Sequence, residues 1–209
     1  TTVSPTDPKL FVTSDNCRGC HDASLLLGGR QPEMMVYQHS GKDDPKLDKI
    51  NLSPYGEWGA SMMGLAGRDP IFLAQLESEQ TLRPKIADWT ANLCLSCHQV
   101  AGQRQFHLDG QDGNFTADYT YVQPAGETLN EKTEYGALGR DGVTCTVCHQ
   151  ITPEGLGEST TFTGNFNVNK EPGTMWGPFP TEEIKPYYMQ QALNMEPKHG
   201  QQITDPGLC

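Results

Sequence analysis

Apolar and polar positions alternate only weakly along this 209-residue chain, and one region alone reads as clearly helical. Residues 1–16 are polar and contain Pro5 and Pro8, the pattern of an extended arm. Residues 17–29 read as a short helical turn, ended by Gly28-Gly29 after the cluster Leu25-Leu26-Leu27. Residues 30–56 read as loop, with a charged stretch from Lys42 to Lys49. The helical region is 57–99. Asp69-Pro70 is a start signal, because Asp caps and Pro is tolerated at the first helical position. Ile71, Phe72, Leu73, Ala74 and Leu76 follow it. Pro84 interrupts, and a second helix from about Lys85 carries Ile86, Trp89 and Leu93 at helical spacing.

Beyond this region the pattern thins. Residues 108–134 form a polar insertion with six acids, Asp109, Asp112, Asp118, Glu127, Glu131 and Glu134, against one Lys. Asp109 to Asn114 does not meet the EF-hand pattern, so a solvated loop is expected, with the option of an acidic docking face. Thr160 to Val168 alternates around Gly164-Asn165 and predicts a β-hairpin near 160–168. Residues 181–194 read as helix. No run approaches the roughly 18 apolar residues of a membrane span.

Composition sharpens the picture. Hydrophobic residues make up 35% of the chain. Gly (22) and Pro (15) together reach about 18%, against an average near 12%. Such a chain builds only a small apolar core by itself. It is either partly disordered or organised around something that is not protein. Acidic residues outnumber basic ones 26 to 15, for a formal charge of −11. That balance argues against nucleic acid and anionic membrane as partners, since both need a basic face.

The cysteines decide between disorder and a non-protein core. Six of seven fall into three copies of one pattern: Cys17-Arg-Gly-Cys20-His21, Cys94-Leu-Ser-Cys97-His98 and Cys145-Thr-Val-Cys148-His149. C-x-x-C-H is the attachment motif of c-type haem. Two thiols three positions apart reach the two vinyl groups of one porphyrin, and the next residue places an imidazole under the iron. Zinc and plain disulfides are the competing readings. Structural zinc usually pairs C-x-x-C with a second ligand pair about 15–20 residues away, and neither alternative explains a His after every second Cys. The seventh cysteine, Cys209, is the last residue. The motif starts at 17, 94 and 145 are spaced so that Cys209 reads as the first residue of a fourth motif. On that reading the chain is a fragment; the alternative is a free or intermolecular thiol. Apart from the motifs, the haem segments (about 17–39, 94–107 and 145–149) share no repeat, so 1–209 is read as one domain rather than a solenoid.

Haem c is attached outside the cytoplasm, so a periplasmic or extracellular protein is expected. The start at Thr1, with neither a basic nor an apolar leader, suits a chain whose signal peptide has been removed. Each iron also needs a second axial ligand unless the site is catalytic. His21, His98 and His149 are the proximal ligands, and His39, His107 and His199 remain. Three spare His for three haems points to bis-His coordination and low potentials. Methionine is the other common sixth ligand and raises the potential. Met63 is the leading candidate, with Met34, Met35, Met175, Met189 and Met195 competing; ordinary packing is the default role of any of them.

These residues resemble the multihaem c-type cytochromes, the broad group that includes the tetrahaem cytochrome accepting electrons from hydroxylamine oxidoreductase. The likeness starts with Cys17-Arg-Gly-Cys20-His21, followed by Trp58-Gly-Ala-Ser61-Met62-Met63 and Arg68-Asp69-Pro70-Ile71-Phe72. Many members have Trp-x-x-Ser-x-His at that point, the His being a distal ligand, and this chain has Met63 there. Cys94 to His98 and Gly142 to His149 look like the second and third sites. Gly177-Pro178-Phe179, then His199, then Cys209 look like the run into a fourth, where a His roughly ten residues upstream often serves as a distal ligand. The resemblance implies a multihaem cytochrome c fold: mainly loops and short α-helices wrapped around covalent haems, with little β.

The expected function is electron transfer through haem c, three groups in this chain and a fourth starting at Cys209, between donor and acceptor redox proteins. The haems would replace much of the core, with Phe11, Trp58, Trp89, Phe106, Tyr135 and Trp176 packing on their faces. Two alternatives stand beside it. One is a haem enzyme of nitrogen or sulfur oxyanion redox chemistry with one open iron and proton donors such as Arg104, His107 and Tyr135. The other is a redox-active subunit of a larger complex or of a cytochrome filament, since some cytochromes of this kind polymerise.

Overall fold

The computed structural model describes residues 10–24, 34–37, 49–122, 131–182 and 186–208. Helix and loop dominate, with little strand. After α1 (Asp15–His21), β1 (Met35–Tyr37) and β2 (Lys49–Asn51) pair antiparallel, Met35 opposite Asn51. α2 (Pro54–Ala60), α3 (Met62–Leu65) and α4 (Pro70–Leu82) then follow in quick succession. They do so because each start carries its own cap. Ser53 accepts from the Gly56 N–H, Ser61 from Gly64 and Asp69 from Ile71, and Pro54 and Pro70 open their helices. Pro84 begins a single 3-10 turn, after which α5 (Ala87–His98) runs into the second C-x-x-C-H motif.

Gln99 breaks α5 from α6 (Val100–Leu108). This buried glutamine donates to the Gly67 carbonyl at 2.9 Å and to Thr120 Oγ1 at 2.6 Å, tying three segments together. α7 (Asp118–Tyr121), α8 (Glu131–Arg140) and α9 (Cys145–Gln150) complete the main body. α6 and α8 meet backbone to backbone. A Cβ on Gly102 would lie 2.5 Å from the Tyr135 carbonyl oxygen and 2.7 Å from the Gly139 nitrogen. β3 (Thr174–Gly177) pairs parallel with β4 (Glu196–His199), joined through α10 (Pro186–Leu193).

The core is three small clusters rather than one. Leu10 and Phe11 pack with Val100, Ala101, Leu138 and Val147. Leu76, Ala91 and Leu95 pack with Phe106, Phe115 and Tyr135. Val12 joins Met175 and Met195. Many large apolar side chains stay exposed, among them Met62, Ile71, Leu82 and Trp89.

Several expectations need correction. No hairpin forms at 160–168. Ser159–Thr161 is a 3-10 turn, and the reversal comes one residue early, with Thr163 at φ 57° and Gly164 at φ 81°. The flanking chain finds better partners than itself. The Thr152 N–H donates to the Asn167 carbonyl, the Asn169 N–H to that of Gln150, and Arg104 takes the carbonyls of Gly164 and Phe166. The stretch read as loop at 30–56 contains β1 and β2. The insertion at 108–134 contains α7 and the start of α8, and buries Phe115 completely. The helix expected over 181–194 runs from Pro186 to Leu193 among the described residues. No helix among the described residues is long and apolar enough to cross a membrane.

Candidate functional site

The three C-x-x-C-H motifs lie on helical turns, as their spacing asks: the first is on α1, the second ends α5, and the third opens α9. Helical backbone puts the two sulfurs of each motif on adjacent turns of one face. None of the six described cysteines is in a disulfide.

The first and third motifs are brought together by a latch. The Val12 N–H donates to Thr146 Oγ1 (3.2 Å), and that hydroxyl donates back to the Val12 carbonyl (3.1 Å). The Ser14 N–H donates to Asp141 Oδ2 (2.7 Å), and the Cys145 N–H donates to Ser14 Oγ (3.1 Å). The Cys17 and Cys145 thiols come close enough to act on each other, and this proximity together with burial pushes the Cys17 thiol up. Desolvation and the nearby His149 hold His21 below the ordinary imidazole value. Just past His21, the buried Asp22 carboxylate accepts from the Ser24 N–H and hydroxyl, Asn51 Nδ2 and Arg18 Nε, all within 3.0 Å. Burial pushes its pKa up, but these donors outweigh burial and hold it well below the usual carboxylate range.

Motif two meets motif three across a groove of about 520 Å³. That volume lies within the roughly 300–1,000 Å³ of cofactor sites. Cys97 and Cys148 both line it, together with Met63, Val147, Phe162 and Leu208. Ile86, just before α5, and Trp89 and Leu93 on it form an exposed apolar stripe whose helical spacing continues to Cys97. His98 stacks on Phe72, ring centroids 3.6 Å apart and nearly coplanar in tilt.

The imidazoles carry a second signal. His149 Nδ1 lies 2.5 Å from the Trp176 carbonyl oxygen. A carbonyl only accepts, so Nδ1 holds the proton and Nε2 the lone pair, which is the tautomer an iron ligand requires. His98 Nδ1 is buried without a hydrogen-bond partner among the described residues. Six cysteines outside any disulfide, an apolar groove holding cysteines of two motifs, and a pre-set His149 tautomer together fit covalent haem. Cys17, Cys20 and His21 would hold one group, Cys94, Cys97 and His98 a second, and Cys145, Cys148 and His149 a third. Among the described residues no three His, Cys, Asp or Glu side chains converge as a bare-ion site would need.

The distal candidates divide. Met63, half exposed on α3, stands on the groove shared by Cys97 and Cys148. His107 is exposed on α6, 3.2 Å from Asn92 Oδ1 and edge-on to Phe106, with desolvation and Arg104 lowering its pKa. His199 is exposed on β4, opposite Gly177 in the strand whose Trp176 carbonyl faces His149. His39 and Cys209 lie outside the described residues. Three aromatics expected on porphyrin faces are instead taken up by the protein's own clusters: Phe11, Phe106 and Tyr135. Arg104, His107 and Tyr135 do not converge. The Tyr135 hydroxyl donates to Asp109 Oδ2 at 2.8 Å, and Arg104 holds a turn. The latch residues Ser14, Asp141 and Thr146, the Asp22 clamp and the Trp176 carbonyl carry no local sequence signal and emerge only from tertiary contacts.

Comparison with family models, curated proteins and solved structures returns no match.

Proposed function

We propose that this chain is a multihaem c-type cytochrome that carries electrons, outside the cytoplasm, between redox proteins. The observation that carries the reading is the juxtaposition of its motifs: Cys97 shares a groove with Cys148, and Cys17 lies near enough to Cys145 for the two to interact. Motifs separated by 77 and 51 residues in sequence thus form one contiguous cluster, which a relay needs and three independent sites do not. Each haem supplies a reversible one-electron change at its iron.

The chain's own residues do the remaining work. The Trp176 carbonyl fixes the His149 ring and keeps its Nε2 basic. Phe72 braces His98 in one orientation. The apolar groove walls would shield a bound group from part of the water around it, and burial of this kind raises the cost of the charged oxidised state. The charge of −11 would steer basic partners to the surface. The oxyanion-enzyme reading needs proton donors gathered at one site, and the geometry favours it less.

The test is a visible and near-infrared spectrum of the purified oxidised protein, with a pyridine haemochrome assay and intact mass. Covalent haem at a minimum of three per chain, all low-spin, is expected. A weak long-wavelength methionine band would assign Met63 as an axial ligand, whereas its absence would turn attention to His39, His107 and His199. Zinc or disulfides in place of covalent haem would overturn the proposal, and a high-spin component would bring the enzyme reading forward.

A further inference from the structure

Arg104, half-buried on α6, makes a set of contacts that a structural role alone does not explain. Its Nη2 lies 2.5 Å from the carbonyl oxygens of both Gly164 and Phe166, and its guanidinium sits over the Phe166 ring, 4.3 Å from the centroid. The described ion pairs do not include it. The turn it grips covers motif two. A Cβ on Gly164 would stand 3.5 Å from Cys97 Sγ and 3.2 Å from the Ser96 carbonyl oxygen. Thr163 in the same turn adopts a left-handed conformation, φ 57°. Such a conformation is strained for a β-branched residue and persists only when the surroundings hold it.

A neutral donor could satisfy those two carbonyls. A guanidinium there places a full positive charge in a partly desolvated site with no ion-paired carboxylate among the described residues, which is costly unless the charge has a use. Burial lowers the pKa of Arg104, yet a guanidinium stays protonated in proteins.

We propose that Arg104 is the positioning and potential-setting residue for the haem held by Cys94, Cys97 and His98, and this rests on the cytochrome reading above. Its fork fixes the 162–166 turn over Cys97, and its charge favours the reduced, less positive state of that haem. A unit charge acting over about 12 Å at an effective dielectric near 20 shifts an equilibrium about tenfold.

The experiment is a spectroelectrochemical titration of the holoprotein, wild type against R104Q and R104K, with haem stoichiometry measured on each and hydrogen exchange followed across 160–168. For R104Q, one redox component should fall about tenfold in its reduced-to-oxidised ratio at fixed potential, about 59 mV for one electron. R104K keeps the charge and should recover most of that fall, while exchange at 162–166 quickens in both. The proposal is overturned if every component of R104Q stays within threefold of wild type, or if R104K falls as far as R104Q, since the charge would then be irrelevant. Should R104Q bind fewer haems, R104M replaces it as the neutral variant: a tenfold fall in one component that R104K does not show supports the proposal, and components within threefold of wild type overturn it. Wild-type protein without covalent haem would sink the cytochrome reading itself, a result distinct from unmoved potentials in a haem-loaded protein.

Discussion

Thr146→Val tests the latch that joins the first and third motifs. Thr146 and Val12 are both fully buried. The Thr146 hydroxyl has one proton and two lone pairs, and all three have a partner: the Val12 carbonyl, the Val12 N–H and, at 2.8 Å, Thr144 Oγ1. Valine has the same shape and none of these functions. It strands a buried N–H and a buried carbonyl, at about 1–3 kcal/mol each. The added methyl recovers roughly 1 kcal/mol of transfer energy. The net expectation is a loss of about 2–4 kcal/mol. For a chain of this length that corresponds to a fall in Tm of roughly 5–15 °C. Thr146→Ser keeps the hydroxyl and should keep most of the stability. Thermal and guanidinium unfolding of the haem-loaded proteins, followed by far-UV circular dichroism, is the assay. A Thr146→Val protein within about 1 kcal/mol of wild type would refute the claim that these bonds hold α9 against the N-terminal segment.

Asp22→Asn should cost about 2–3 kcal/mol at pH 7, because a charged acceptor of four donors is lost. Since the folded pKa of Asp22 is depressed, its contribution is present above the unfolded value near 3.9 and is lost as pH falls below it. The stability gap between wild type and Asp22→Asn should therefore close on acidification, and a gap constant from pH 7 to pH 2 would contradict this. Gly102→Ala drives a Cβ into the Tyr135 carbonyl, so a loss of about 1–3 kcal/mol or failure to accumulate is expected, and an unchanged melting curve would show that α6 and α8 are farther apart. Chain produced without haem attachment should be largely unfolded by circular dichroism, and a cooperative native-like melt of that material would show that the polypeptide core suffices.

What was legible in the sequence was what local chemistry dictates. Asp69-Pro70 announced α4 because a cap and a first-turn proline act within three residues. The same signal at Ser53-Pro54 opens α2, inside a stretch read as loop. The C-x-x-C-H motifs were legible because attachment of one haem is confined to five consecutive residues. Non-local pairing was not. Gly164-Asn165 did mark a reversal, yet whether its flanks pair with each other depends on Arg104 and on residues 150–152, which compete for the same backbone groups. Aromatic count could not tell a porphyrin-facing ring from a ring packed on other rings. Phe106 makes edge-on contacts with Phe115, Tyr119 and Tyr135, and only the fold brings these together. Distal ligands were ambiguous for the same reason. Met63 and Cys148 lie 85 positions apart and still line one groove.

The cluster has an order that the sequence does not. Motif three is joined to motif one's segment by the Val12–Thr146 and Ser14–Cys145 hydrogen bonds and faces motif two across the groove at Cys148. α9 supports both contacts within six residues, Cys145 at its start and Cys148 one turn on. Its placement is in turn set from both sides, by the Thr146 latch on one and the Trp176 carbonyl on the other. On the proposed reading the third motif in sequence is therefore the junction of the relay. Loosening α9 should weaken electronic communication with both neighbours at once, whereas loosening α1 or α5 should affect one. The short helix buries Thr146, Val147 and Gln150 while leaving its cysteines at the groove and the latch. That division of faces lets a six-residue element act as scaffold and junction together.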